Sequence, residues 1–121
     1  MSQLNALLIS IGMEVPLAMG LCLGLRWVER ADWQRLLVVA TCTTLITHPF
    51  AWWGYRALRN ELELSRWPAF AIVEIMVSLV EAAMYWRLAR IPPLKAVILA
   101  FSVNAFSAFW GRDLAELLGL I

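Results

Sequence analysis

At 121 residues the chain allows one domain, and 62% hydrophobic content with mean hydropathy +0.72 is more apolar surface than a water-soluble fold of this size can hide. The net charge of +1 comes with no basic tail and no run of like charge, so no nucleic-acid-binding footprint is present. A lipid bilayer removes the difficulty by acting as solvent for that surface. The expected class is all-α, an integral membrane four-helix bundle forming a single transmembrane domain over residues 1–121.

The first predicted span covers about 4–25 and ends at the polar stretch Arg26–Arg30. Ser2, Gln3 and Asn5 place no positive charge before it, and its apolar run is long for a signal sequence, so it is read as a retained span. The second covers about 36–55, between Arg35 and Arg56. A polar stretch over 56–66 leads to the third, about 67–86, with Pro68 in its first turn, where a missing N–H is tolerated. Arg87, Arg90, Pro92 and Pro93 close that span. The fourth begins near Leu94 and runs to about 111. Beyond it Arg112, Asp113 and Glu116 interrupt an apolar tail, so 113–121 is either a short interfacial helix or an extension that snorkels its charges.

Each span supplies the roughly 20 helical residues that a hydrocarbon core about 30 Å thick requires. The runs are continuous, without the period-two alternation of a barrel, and helices satisfy their backbone hydrogen bonds internally. Trp27, Trp33, Trp67, Trp86 and Trp110 fall near span ends, as interfacial anchors do. With four spans, loops 26–35 and 87–95 share a side. Six Arg and Lys lie there (Arg26, Arg30, Arg35, Arg87, Arg90, Lys95), against four opposite (Arg56, Arg59, Arg66, Arg112). The positive-inside rule then places these two loops in the cytoplasm and both termini outside.

The functional clue is a set of polar side chains at bilayer depth. Glu14 lies in span one, His48 in span two, Glu74 and Glu81 in span three, and Asn104 in span four near Ser102 and Ser107. A glutamate facing acyl chains costs several kcal/mol, so three of them imply a shared protein interior. Spacing agrees. Glu74, Ser78, Glu81 and Tyr85 form one stripe on span three, Thr41, Thr44 and His48 on span two, Ser10 and Glu14 on span one, and Asn104, Ser107 and Gly111 on span four. Counted from the side of the termini, His48 and Glu74 lie about 10 Å deep, Glu14 and Asn104 about 15 Å, and Glu81 about 20 Å. Carboxylates this close cannot all be ionised, so some share or retain protons, and a histidine beside them can carry one. Pro16 and Pro49 each free a backbone carbonyl beside these residues, a possible source of further ligands.

The plainer readings stand beside this one. Buried Ser, Thr, Asn and His also serve simply as interhelical hydrogen bonds. Cys22 and Cys42 lie in apolar segments without a C-x-x-C or a metal-ligand spacing and read as small hydrophobes. Gly20 and Gly24 form a G-x-x-x-G, suited either to packing within the chain or to dimerisation. No internal repeat is evident.

The in-span Glu14, the length and the four-span plan resemble the small multidrug resistance transporters, which use one first-helix glutamate as a shared proton and drug site. The likeness stops at Glu74 and Glu81, which that family lacks, and at its glycine-rich third helix, which is missing here. The glycine-rich and phenylalanine motifs of small fluoride channels are also missing. The family is therefore not assigned on sequence.

Three functions fit. The first is a homo-oligomeric channel or carrier handling protons or a small cation at Glu14, His48, Glu74, Glu81 and Asn104. The second is an accessory or assembly subunit of a larger membrane complex, holding a pigment or cofactor through His48. A third is an intramembrane enzyme with His48, Glu14, Glu74 and Glu81 as metal ligands or acid–base groups, although no H-E-x-x-H or comparable pattern occurs. Cofactor and metal stay unassigned, and the bilayer is the one partner expected throughout.

Overall fold

The computed structural model describes all residues, 1–121, as four α-helices without a strand. The first helix, α1, runs Gln3–Gly24, where the Ser2 hydroxyl accepts the Asn5 N–H at 3.1 Å and caps the start. A short 3-10 turn over Arg30–Asp32 leads into α2, Trp33–Asn60. Next come α3, Arg66–Leu88, and α4, Pro93–Leu117, which begins on a proline whose missing N–H needs no partner there.

The first three helices end through a non-glycine residue in the left-handed region: Arg26 at φ 57°, Glu63 at φ 53° and Arg90 at φ 59°. After α1 this lets the Trp27 N–H donate back to the Cys22 carbonyl at 2.8 Å, closing an otherwise orphaned acceptor. Each such residue costs about 1–2 kcal/mol relative to glycine. Only α4 ends on the residue type that this backbone prefers, Gly119 at φ 70°.

At 22 to 28 residues the helices are about 33–42 Å long. All four are long and apolar enough to cross a membrane. They pack in a ring, α1 on α2 and α4, and α3 on α2 and α4. Small side chains (Ala18, Ala40, Ala96, Ala100) let the helices approach at the end carrying the α1–α2 and α3–α4 connections. There Leu36, Tyr85, Ile91 and Leu99 are fully buried and fill the axis. The outer faces carry exposed large apolar residues, among them Phe50, Met76, Ile98 and Phe109. A soluble monomer does not carry so much of this surface.

Several expectations change in detail. The fourth helix does not stop at 111: it runs unbroken to Leu117, so 113–117 continue it, 118–121 lie beyond its end, and no separate interfacial helix forms. Arg112 and Glu116, one turn apart, pair at 3.0 Å and keep this polar stretch helical. The second helix also runs past both expected ends, by three residues at Trp33 and five at Asn60. Pro16 and Pro49 sit inside continuous helices. The carbonyls they free, at Gly12 and Leu45, lie on exposed helix faces, so they supply no ligands to the interior. Gly20 and Gly24 are exposed, and a Cβ added at either would meet nothing within 4 Å, which rules out a role in packing within the chain. Cys22 is buried and Cys42 half-buried, both as free thiols.

Candidate functional site

The four helices enclose one polar cavity of about 450 Å³, and Glu14, His48, Glu74, Glu81 and Asn104 all line it. Its floor is a hydrogen-bonded layer. Glu14 enters from α1, where its Oε2 accepts from the Thr44 hydroxyl of α2 at 2.8 Å and its Oε1 from the Ser107 hydroxyl of α4 at 2.7 Å. Glu81 enters from α3, where its Oε1 accepts from the Thr47 hydroxyl of α2 at 2.6 Å and its Oε2 from the Asn104 amide of α4 at 2.6 Å. Each carboxyl group thus ties its own helix to two neighbours. These two glutamates are 6% and 2% exposed, so burial without such partners would be prohibitive.

The layers differ from those expected. Counting residues alone puts Glu81 about 5 Å deeper than Asn104, yet the two touch. Helical side chains lean toward their own N-terminus. Glu81 leans toward the cavity mouth because α3 begins there, whereas Asn104 leans away from it because α4 ends there. The offset cancels, and Glu14, Glu81 and Asn104 share a single layer.

The α2 stripe also shifts. Thr41 donates only to its own helix, to the Leu37 carbonyl at 2.8 Å, and takes no part. Thr44 and Thr47 reach the carboxylates instead, with Thr43 fully buried behind them, near the Tyr85 hydroxyl. A stripe taken from His48 backwards through Thr44 to Thr41 passes Thr47 by. The apolar-small series Ala40, Thr43, Thr44, Thr47 and Ala51 carries the same helical period one step round. Ser102 is exposed on the outer face of α4 and does not join Asn104 and Ser107. Gly111 packs near Ile9 of α1, away from the cavity.

Glu74 and His48 differ from the floor. Glu74 is half-buried, lines the cavity and takes part in neither a hydrogen bond nor an ion pair. His48 stacks on Trp52 with ring centroids 6.3 Å apart, and its buried Nδ1 has no partner. Neither side chain belongs to the hydrogen-bonded layer below it. Toward the α2–α3 connection the walls become aromatic and cationic: Trp52, Tyr55, Arg56, Arg66 and Phe70. The sequence suggested Arg56 and Arg66 only as span ends, and the fold brings both to the mouth. Beyond the floor the plug of Leu36, Tyr85, Ile91 and Leu99 closes the axis, so the cavity is blind.

No three His, Cys, Asp or Glu side chains group as a metal site, so the metal-enzyme expectation has no ligand set here. Arg35–Asp32 and Arg112–Glu116 are the only ion pairs, both at exposed positions, and no arginine neutralises the buried acids. No family model, curated protein or solved structure matches the chain.

Proposed function

We propose that this is an integral membrane protein whose four helices each cross the bilayer once, their polar stripes facing a common interior. On this reading the cavity is the solute chamber of a small proton-linked carrier for a small cation. The observation that supports it is the division among the acids. Glu14 and Glu81 each hold two hydrogen-bond donors and set the floor, whereas Glu74 lines the cavity without a protein hydrogen-bond or ion-pair partner. A structural acid is expected to be satisfied, and a working one to be accessible. The blind end favours a carrier over an open channel, because solute passage then requires the helices around Tyr85 and Leu99 to part.

By the six-to-four balance of Arg and Lys, the closed end faces the cytoplasm and the mouth opens outward. Self-association fits the outer face of α1. There Gly12, Pro16, Gly20 and Gly24 recur every four residues, all exposed, leaving a shallow stripe on which a second helix can approach closely. Gly20→Leu is expected to lower dimer content at least fivefold, as read by crosslinking in membranes. Helicity and monomer stability should stay unchanged, since open space receives the new side chain. Unaltered crosslinking would remove this face from the proposal.

The function is tested in proteoliposomes with a trapped pH-sensitive dye. An inward gradient of a small organic ammonium ion should drive proton movement in the opposite direction, dependent on protein. Silence across a panel of monovalent cations and amines would reject the carrier. Foreign chains copurifying at fixed stoichiometry would favour the accessory-subunit reading instead.

A further inference from the structure

The carrier reading leaves the arginines at the mouth without a task. Arg56 and Arg66 line the same cavity as Glu74, yet neither pairs with an acid. Arg66 lies at the rim, its guanidinium carbon 5.5 Å from the ring centre of the neighbouring Trp67. Arg56 is exposed at the mouth and also lines the cavity wall. It stands on α2, whose C-terminal end forms the mouth, so its side chain leans back along the wall. Its guanidinium carbon sits 5.2 Å from the Trp52 ring centre, and Trp52 in turn stacks on His48. These three residues recur every four positions and make one column down the cavity wall, about 12 Å from end to end.

Across from that column, Glu74 leans toward the mouth because α3 begins there. A guanidinium held on an aromatic face and an unpartnered carboxylate thus open onto one volume without meeting. Opposite charges in a partly dry site attract strongly and pair when they can reach. Here no ion pair joins them.

We infer that the cavity binds a small amphoteric molecule, its ammonium group at Glu74 and its carboxylate or phosphate at Arg56. The Trp52 ring, which lines the cavity beside Arg56, flanks the body between the two charges. A cavity of about 450 Å³ holds such a molecule with water around it. This rests on the cavity being a solute chamber and adds the class of solute. The same chemistry occurs free in water and in zwitterionic phospholipid headgroups. Thr47, Val73 and Val77 line both this cavity and an apolar cleft on the outer face between α2 and α3, so the lipid source enters the test on equal terms.

The test is equilibrium binding to the purified protein without any gradient, followed by tryptophan fluorescence and calorimetry. The soluble probes are γ-aminobutyrate and phosphoethanolamine, with propylamine and butyrate as single-charge controls. The lipid arm compares nanodiscs of phosphatidylethanolamine with nanodiscs of phosphatidylglycerol. A doubly charged probe should bind at least tenfold more tightly than either single-charge control. Glu74→Gln and Arg56→Gln should each weaken it at least tenfold, and Arg56→Lys should restore part of the loss. Neither position contributes a hydrogen bond to the fold, so unfolding temperature and helicity should stay at wild-type values. The same variant pattern confined to phosphatidylethanolamine discs assigns the site to a lipid headgroup and still supports the inference. It is overturned by propylamine binding as tightly as γ-aminobutyrate, by zwitterion affinity indifferent to Arg56→Gln, or by no probe binding to folded protein. Simple amine flux surviving such a result would keep the carrier and remove only the solute class, whereas binding without proton-linked flux would do the reverse.

Discussion

Glu81→Ala is expected to destabilise the folded protein by about 2–4 kcal/mol, while Glu81→Gln stays within about 1 kcal/mol of wild type. The alanine leaves the Asn104 amide and the Thr47 hydroxyl facing an empty space where Oε2 and Oε1 had been. Buried donors without acceptors carry their full desolvation cost, and the lost volume adds a cavity. Glutamine keeps the shape, and the donor count still closes. The Asn104 amide can donate to the glutamine carbonyl. The glutamine amide can donate to Thr47, because the Thr47 hydroxyl already has a second acceptor in the Thr43 carbonyl at 2.8 Å. A hydroxyl has one hydrogen and two lone pairs, so it can turn from donor toward Glu81 into acceptor from it. Reversible unfolding in mixed detergent micelles measures both differences. Equal losses in the two variants would show that charge, rather than hydrogen-bond closure, holds this layer together.

The same arithmetic applies to Glu14, where Thr44 has the Ala40 carbonyl at 3.3 Å and Ser107 has the Asn104 carbonyl at 3.1 Å as alternative acceptors. Both floor glutamates therefore fit their partners with or without a proton, and heavy atoms need not move between the two states. A proton can then arrive at or leave the floor without unlocking the bundle. In the proposed carrier, this keeps the helices joined while the chemistry takes place on the mouth side.

What the sequence revealed follows from which physical signals are local. The number and type of helices were readable, because apolar runs of helical length are a property of consecutive residues. The inward faces of α1 and α3 were readable too: Glu14, Glu74, Ser78, Glu81 and Tyr85 are costly enough in lipid, or spaced regularly enough, to mark their own direction. The α2 face was harder. Thr41, Thr43, Thr44 and Thr47 all fall within two turns, and a threonine can satisfy its hydroxyl on its own helix, as Thr41 does on Leu37. Nothing in composition then says which threonines turn inward. Helix ends were blurred by the left-handed Arg26, Glu63 and Arg90, which carry none of the glycine signal normally read as a stop. The meeting of Glu81 with Asn104 depends on the opposite directions of α3 and α4, so residue counting along either helix could not find it.

The sharpest functional difference is expected at Glu74. Glu74→Gln should reduce proton-linked flux at least a hundredfold and leave the unfolding midpoint within about 2 °C of wild type. The side chain keeps its size, breaks no hydrogen bond and abandons no ion pair, so stability has no reason to change. What disappears is the one carboxylate in the cavity able to exchange a bound cation for a proton without first releasing a protein donor. Glu81→Gln supplies the comparison: it sits on the same helix two turns away and also removes a carboxylate, but that group is enclosed by Thr47 and Asn104. Its flux should fall less than tenfold. Measured side by side in proteoliposomes at matched protein density, the two variants separate a working acid from a structural one. Equal flux in Glu74→Gln and wild type would leave the cavity without a proton-handling group at its accessible face, and the carrier proposal would then have to be abandoned.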